Sequence, residues 1–355
     1  MVNVGHHQLQ DVVTGILSDA GLDLPSARSV SEGLVYANLC GVDTHGVRRI
    51  SQYISAVRRG EINRSPKVVV QPASAGTAIV DADGGYGYAP TKLACEITAD
   101  LVIEHGIAAV GVRNSHHYGM AGMHTARLAD VGFVAMTTTT TTPLLAPPGG
   151  LVPVVGNSPL SWAVPRRAQR PILLDMALSQ VAFGVIRRAA AEGVPIAEGL
   201  ARDGSGNPTT DPVAALEARL PMAIGDHKGF GLAVIAGVLA GVLTGSPFGH
   251  DARGHERQAG GVGHLIVALD PARFLPRERF LDEVERLCAQ VHDVPMSQGS
   301  GAAQLPGERE WAAYEDRTRN GIPLSSEALA ALAENRPKDA GLAELLDRWQ
   351  SEAGV

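Results

Sequence analysis

Cysteine is scarce in this 355-residue chain, and Cys40, Cys95 and Cys288 are far apart, odd in number and free of any C-x-x-C pair. That excludes a disulfide framework and a thiolate zinc site, and makes a reducing cytoplasm the expected setting. Positive charge is scarce too. The formal net charge is -7, and the short basic groups (Arg58, Arg59; Arg166, Arg167, Arg170; Arg187, Arg188) are interrupted by apolar or acidic residues. No field gathers phosphate backbones, so nucleic acid is not an expected partner. Met1 to Gln10 already contains His6, His7 and Gln8 and lacks the basic and apolar blocks of a secretory signal. The G-x-G-x-x-G turn of dinucleotide-binding folds is also missing, so any nucleotide is held by another device.

One run is long and uncharged: Gly229 to Gly249, GFGLAVIAGVLAGVLTGSPFG. Its glycines at 237, 241 and 245 repeat the small-xxx-small spacing of membrane helices, but Pro247 and Gly249 end it early and no second run accompanies it. A buried helix of a soluble protein is expected, with the glycines letting another backbone approach.

What is present is ample: 45% hydrophobic residues supply a core and set disorder aside. From Leu9 to about Arg59 apolar residues recur at helical spacing, as in Leu9, Val12, Val13, Ile16 and Leu17. Between about Val68 and Ser161 short β-branched runs punctuated by glycine predict strands at 68–70, 78–89, 107–114 and 132–140, the last ending in the threonine run 137–142. Further short strands are expected within 151–164 and at 171–175, then a helix at 180–191 and a turn-rich excursion at 200–220. After the uncharged helix comes a polar, glycine-rich segment at 253–263, then a strand at 263–270 and helices from Arg277 to Val291 and through the tail. An α/β or α+β protein follows: helical residues 1–75 packing with 277–355, around a cofactor- and substrate-binding α/β region at 76–276.

Four clusters could carry chemistry. In GVDTHGVRRISQYISAV (41–57), with Asp43 or Thr44 as N-cap, Val47, Ile50, Ile54 and Val57 form one apolar stripe. His45, Arg49 and Gln52 then share the other side, with Tyr53 at its edge: either a solvated polar face, or a cleft wall where Arg49 holds a carboxylate and His45 relays a proton. In NSHHYGMAGMHT (114–125), residues leaving a strand point to opposite faces, so at most one of His116 and His117 is catalytic. Gly119 and Gly122 suggest a turn into a helix whose first N–H groups could receive an anion; His116, His117 and His124 lack the H-E-x-x-H spacing, so no metal site is expected. In LPMAIGDHKGFGLAV (220–234), Lys228 and Gly229 open the uncharged helix, which is either a phosphate-binding end or one capped by Asp226. In PILLDMALSQVAFGV (171–185), Asp175 ends a strand and either caps the next helix or accepts ribose hydroxyls.

Taken in order, GVDTHGVRR, NSHHYGMAG, GNSPLSWAVP, LLDMALS, GDHKGFGLAV with LAGVLTG, GHLIVALDP, and LPGERE followed by NGIPL resemble the malate/L-lactate dehydrogenase family, from about Leu9 to Leu324. That family also holds ureidoglycolate, sulfolactate and 2,3-diketogulonate oxidoreductases and cyclic-imine reductases. The resemblance implies a non-Rossmann NAD(P)-binding fold of the sulfolactate dehydrogenase-like type, NAD or NADP as cofactor, a small anionic 2-oxo or 2-imino acid as substrate, and a homodimer. It implies His117 as the acid/base residue, with His45 and Thr44 as a competing proton-donating pair, Arg49 on the substrate carboxylate and Tyr53 on the substrate side. It places His117, Tyr118, Gly119, Met120, Ala121, Asp175, Met176, Ala177, Lys228 and Gly229 against the cofactor. The chain departs from the family pattern in Thr44 for serine, in Val185 where a charged residue often follows Ala182-Phe183-Gly184, and in Trp162, expected to reshape the pocket. The expected reaction is interconversion of a 2-oxo and a 2-hydroxy acid. Reduction of a cyclic or N-substituted 2-imino acid is the alternative, and a non-catalytic binding protein the remote one.

Overall fold

The helical periodicity of the opening segment becomes β1 (Val2–Val4), α1 (His6–Asp19), α2 (Leu24–Leu39) and α3 (Ile50–Arg58) in the computed structural model, which describes residues 1–252 and 261–354. Asp23 starts α2 by accepting a hydrogen bond from the Ser26 N–H at 2.9 Å, with Pro25 in the first turn. The expected helix over 41–57 is not continuous. Gly46 is extended, two 3₁₀ turns (Asp43–His45, Val47–Arg49) precede α3, and Asp43 caps nothing. Its carboxylate is taken by Arg317 at 2.8 Å and by Asn38 at 2.5 Å, and Asn38 in turn accepts from the Val47 N–H at 2.8 Å. The apolar stripe nevertheless forms: Val47, Ile50, Ile54 and Val57 are buried.

The middle of the chain supplies β2 (Val69–Ser74), β3 (Thr77–Asp81), α4 (Tyr88–His105), β4 (Ile107–Ser115), α5 (Ala121–Asp130), β5 (Val134–Thr139), β6 (Pro143–Leu145), β7 (Val155–Gly156), β8 (Leu160–Val164) and β9 (Ile172–Met176). Next come α6 (Phe183–Glu192), β10 (Ala201–Arg202), β11 (Pro208–Thr209), α7 (Pro212–Ala218), β12 (Leu220–Pro221), α8 (His227–Gly237) with a π-helical continuation Val238–Val242, and β13 (Val262–Leu269). The expected turn-rich excursion thus holds a small β11-β10-β12 sheet and a helix; most of the polar segment at 253–263 lies outside the described residues. The tail forms α9 (Arg277–His292), α10 (Glu308–Asn320), β14 (Ile322–Leu324), α11 (Ser326–Ala333) and α12 (Ala340–Ala353).

The main sheet has the order β2-β3-β4-β13-β5-β8-β9, and only β3 and β4, joined through α4, are parallel. β13 enters late in the chain between β4 and β5, antiparallel to both, with Ile266 opposite Val110 and Thr137. The residues of β3, β4 and β13 alternate, and one face (Val80, Val110, Val112, Ile266, Ala268) meets Cys95 and Val102 of α4 and Leu128 of α5 in a shared core.

A second core joins the N-terminal helices to the tail. Leu9, Val13, Ile16, Leu34, Ile50 and Ile54 pack with Leu329, Leu332, Leu346 and Trp349, and β1 pairs with β14, Val2 opposite Leu324. Each such aliphatic side chain contributes roughly 1.5–3 kcal/mol on leaving water. The helical tail does not act as one body. α9 packs through Val284 and Cys288 against Val164 and Ile172 at the β8-β9 edge of the sheet.

The Gly229 helix departs from its expected burial. Ala233, Ala236 and Ala240 face inward, whereas Leu232, Ile235, Val238, Val242 and Leu243 are 44–62% exposed. The segment covers the sheet from one side only, so its outer row stands exposed among the described residues.

Candidate active site

β4 carries its alternation into the paired histidines. His116 is fully buried, edge-on to Tyr86, while His117 looks into a cleft of about 1300 Å³. Gly119 (φ +82) turns the chain so that α5 begins on the cleft floor. Tyr118 is clamped beneath, stacked on His264 of β13 at 4.3 Å and on His124 of α5 at 4.8 Å. Burial lowers the His124 pKa to about 4 and the His264 pKa to about 3, so both rings are neutral packing elements.

The 3₁₀ turns and α3 build the facing wall with Thr44, His45, Arg49 and Gln52. Arg49 Nη1 lies 3.3 Å from His117 Nε2, and the same guanidinium donates from Nη2 to Gln52 Oε1 at 3.1 Å. The His45 and His117 rings are nearly parallel with centroids 5.7 Å apart. Thr44 Oγ1 is 3.2 Å from His45 Nδ1. Burial, then the Arg49 charge, brings the His45 pKa down to about 4, so His45 is neutral at physiological pH. On the far side of His117, Nδ1 is 2.5 Å from the Tyr53 hydroxyl and accepts from the Gly119 N–H at 3.2 Å.

β9 supplies the third wall. Asp175 accepts from the Gly122 N–H at 2.6 Å and so caps α5 across the sheet. The cap expected on the helix that follows in sequence falls instead on α5. Enclosure pushes the Asp175 pKa up to about 7 against the pull of that N–H. Arg187 and Arg188 of α6 stand on the rim, with Arg309 and Glu310 from the LPGERE segment opposite.

Cations, a neutral imidazole and hydroxyl groups thus line one opening. Residues 4–333 of the chain match the family described as malate/L-lactate dehydrogenase. The chain belongs to that family. It is 35% identical over 314 residues to (2R)-3-sulfolactate dehydrogenase (NADP(+)) of Chromohalobacter salexigens, covering 87% of this chain and 91% of that one. It is 30% identical over 337 residues, 94% of this chain and 97% of the other, to Delta(1)-pyrroline-2-carboxylate/Delta(1)-piperideine-2-carboxylate reductase of Pseudomonas putida. Sulfolactate dehydrogenase of Methanocaldococcus jannaschii superposes with a TM-score of 0.87 at 28% identity, over 98% of both chains. As a malate/L-lactate dehydrogenase family member, the chain is an NAD(P)-dependent oxidoreductase.

The cleft fits that cofactor. Its volume exceeds the ~300–1,000 Å³ of most single-ligand pockets, the α5 N-terminus faces it, and Arg187 and Arg188 offer charge at the rim. His117, Tyr118, Gly119, Met120, Ala121, Asp175, Met176 and Ala177 all line it. Lys228 and Gly229 do not. Lys228 is exposed at the start of α8, and Gly229 is pressed against the Ile224 carbonyl, which a Cβ would meet at 2.4 Å. The Asp226 carboxylate makes no cap; it pairs with Arg202 at 3.0 Å. Trp162 does not reshape the pocket, because on β8 it points out while Ser161 and Ala163 point in. Tyr53 is buried behind His117 and outside the lining, where it spends its hydroxyl on protein groups. No sequence pattern singles out Thr139 to Thr142 as cleft wall or Tyr88 as a neighbour of Tyr53; these follow from tertiary packing.

Proposed function

We propose that this enzyme interconverts a 2-oxo acid and its 2-hydroxy acid, with Arg49 holding the substrate carboxylate and His117 passing the proton at the reacting oxygen. NAD or NADP exchanges the hydride. The observation that carries the reading is the convergence of Arg49 and His117, 68 positions apart, on one face of one cleft. A guanidinium offers a carboxylate two parallel donors, and an imidazole titrates where a proton must move both ways. His45, neutral at physiological pH, stands beside them with its ring nearly parallel to that of His117.

Reduction of a 2-imino acid is the second reading, favoured by the likeness to the Pseudomonas putida reductase. The Thr44 hydroxyl beside His45 Nδ1 is the pair this reading needs, but the carboxylate that would complete its relay is lacking, because the neighbouring Asp43 is engaged by Arg317. Val185 adds no carboxylate to the cleft either. The test is nicotinamide absorbance with NADH and with NADPH against a panel of 2-oxo acids, each with and without methylamine. Turnover without amine supports the first reading. Turnover only with amine installs the second, and no turnover with no cofactor binding by calorimetry would make the chain a binding protein.

The working form is a homodimer built on the outer row of α8. Leu232, Ile235, Val238, Val242 and Leu243 make a continuous apolar stripe, and a Cβ at Gly231 or Gly237 would meet nothing within 4 Å among the described residues. An exposed apolar patch of this kind marks a surface that another protein copy covers. Among the described residues, no helix is long and apolar enough to cross a membrane.

A further inference from the structure

Behind His117, away from the cleft, stands a pair of buried phenols. The Tyr53 hydroxyl is 2.9 Å from that of Tyr88, the first residue of α4, which is 1% exposed. The Tyr88 ring is wedged between two glycines: a Cβ at Gly33 of α2 would meet it at 2.1 Å, and one at Gly119 of the His117 loop at 2.5 Å. Tyr86 donates to the Tyr53 carbonyl at 2.9 Å and holds that turn of α3 in place. Nothing in the proton-transfer role of His117 by itself requires these tyrosines, yet the packing leaves them no freedom.

Their hydrogen-bond logic runs one way. Among the described residues the Tyr88 hydroxyl has one hydrogen-bond partner, Tyr53, so its proton points there. Tyr53, receiving that proton, turns its own toward His117 Nδ1. The Gly119 N–H, which cannot rotate, points at the same nitrogen. Nδ1 therefore keeps its lone pair and Nε2 carries the proton, toward the cleft. In this tautomer Nε2–H and the Arg49 guanidinium, 3.3 Å away, are both donors facing each other. An acceptor placed between them, the oxygens of an anionic 2-oxo acid, relieves the opposition.

We propose that Tyr88 is a positioning residue that acts through Tyr53 to hold neutral His117 in the Nε2–H tautomer, so that the ring presents a hydrogen-bond donor to the substrate oxygen. Its catalytic consequence rests on the proton-transfer role of His117 argued above. A third group that orients a catalytic imidazole serves the same end in other enzymes.

The experiment uses the full chain labelled with [15N]histidine, with His117 ring signals assigned by their loss in His117→Asn. Wild type should report protonated Nε2, whereas Tyr88→Phe and Tyr53→Phe, which keep the ring shapes, should each give a measurable fraction of protonated Nδ1. With the best 2-oxo acid of the panel and reduced nicotinamide, kcat should fall about 10-fold in Tyr88→Phe and up to ~100-fold in Tyr53→Phe, with KM nearly unchanged. Because Tyr88 acts through Tyr53, the double variant should be no slower than Tyr53→Phe alone. Unchanged ring signals in both single variants, or kcat losses that multiply in the double variant, would overturn the proposal. Full turnover by His117→Ala would sink the catalytic role of His117 instead, and the ring signals would still decide the tautomer.

Discussion

The Arg49 guanidinium stands 3.3 Å from His117 Nε2 across the cleft, although 68 positions separate the two residues. That distance is short enough for both to touch one small molecule. It also sets two donors against each other in the tautomer that Tyr53 and Gly119 impose, which makes an anion the natural third party.

Removing either member should leave a different kinetic mark. Arg49→Ala loses a charge-assisted pair of hydrogen bonds, roughly 2–3 kcal/mol, and should raise KM about 30- to 100-fold with a smaller change in kcat. His117→Ala should depress kcat by ~10²- to 10⁴-fold with KM nearly constant. Steady-state kinetics on the best 2-oxo acid of the panel checks both, and the reversed pattern would exchange the two roles.

Acid should destabilise the fold through buried imidazoles. His45, His124 and His264 have pKa values brought down from 6.5 to about 4, 4 and 3. Between 6.5 and about 4 the unfolded chain binds more protons at these positions than the native one, so stability falls as pH falls. Asp175, raised from 3.8 to about 7, works in the opposite sense: its contribution is full at low pH and is lost as pH rises through 7. Three groups outweigh one, and the unfolding midpoint should drop from pH 6.5 to 4.5. Asp175→Asn keeps an acceptor for the Gly122 N–H and should steepen that drop; a midpoint that rises on acidification contradicts the assignment.

Gly119 admits no side chain on two independent grounds. Its φ is +82, and a Cβ would lie 2.5 Å from Tyr88 Cε1. Gly119→Ala should cost about 1–3 kcal/mol from backbone strain and overpacking, read from urea unfolding. Turnover should fall as well, since the loop carries His117; an alanine variant as stable and active as wild type would mean the turn is not built as described.

Ile235 lies mid-stripe on α8 and is 55% exposed. Ile235→Arg should shift the mass by light scattering from two chains to one at micromolar concentration, because a desolvated guanidinium without a partner opposes association. Wild type that is monomeric at high concentration would rule out the proposed dimer.

Several features were legible from residues alone. The apolar stripe of 47–57, the strands at 107–115, 134–139 and 172–176, and the division of labour between His116 and His117 all follow from periods of 3.6 or 2 residues. Side-chain direction along one element depends on neighbours a few residues away, so a single sequence contains it. Where the reading strayed, a long-range partner had changed the local outcome. Asp43 left its capping role for Arg317, 274 positions on, and Asp175 capped α5, 53 positions back.

The sequence by itself determined which side chains share a face and which residue types stand ready for proton transfer and anion binding. Tertiary structure alone decided that Arg49 meets His117, that Tyr88 stands behind Tyr53, that Lys228 is outside the cleft and that α8 shows its apolar row to solvent. The reason is that β13 enters between β4 and β5 and the tail helices close on the N-terminal ones. Those pairings are chosen by summed burial over the whole chain, and no local period encodes them.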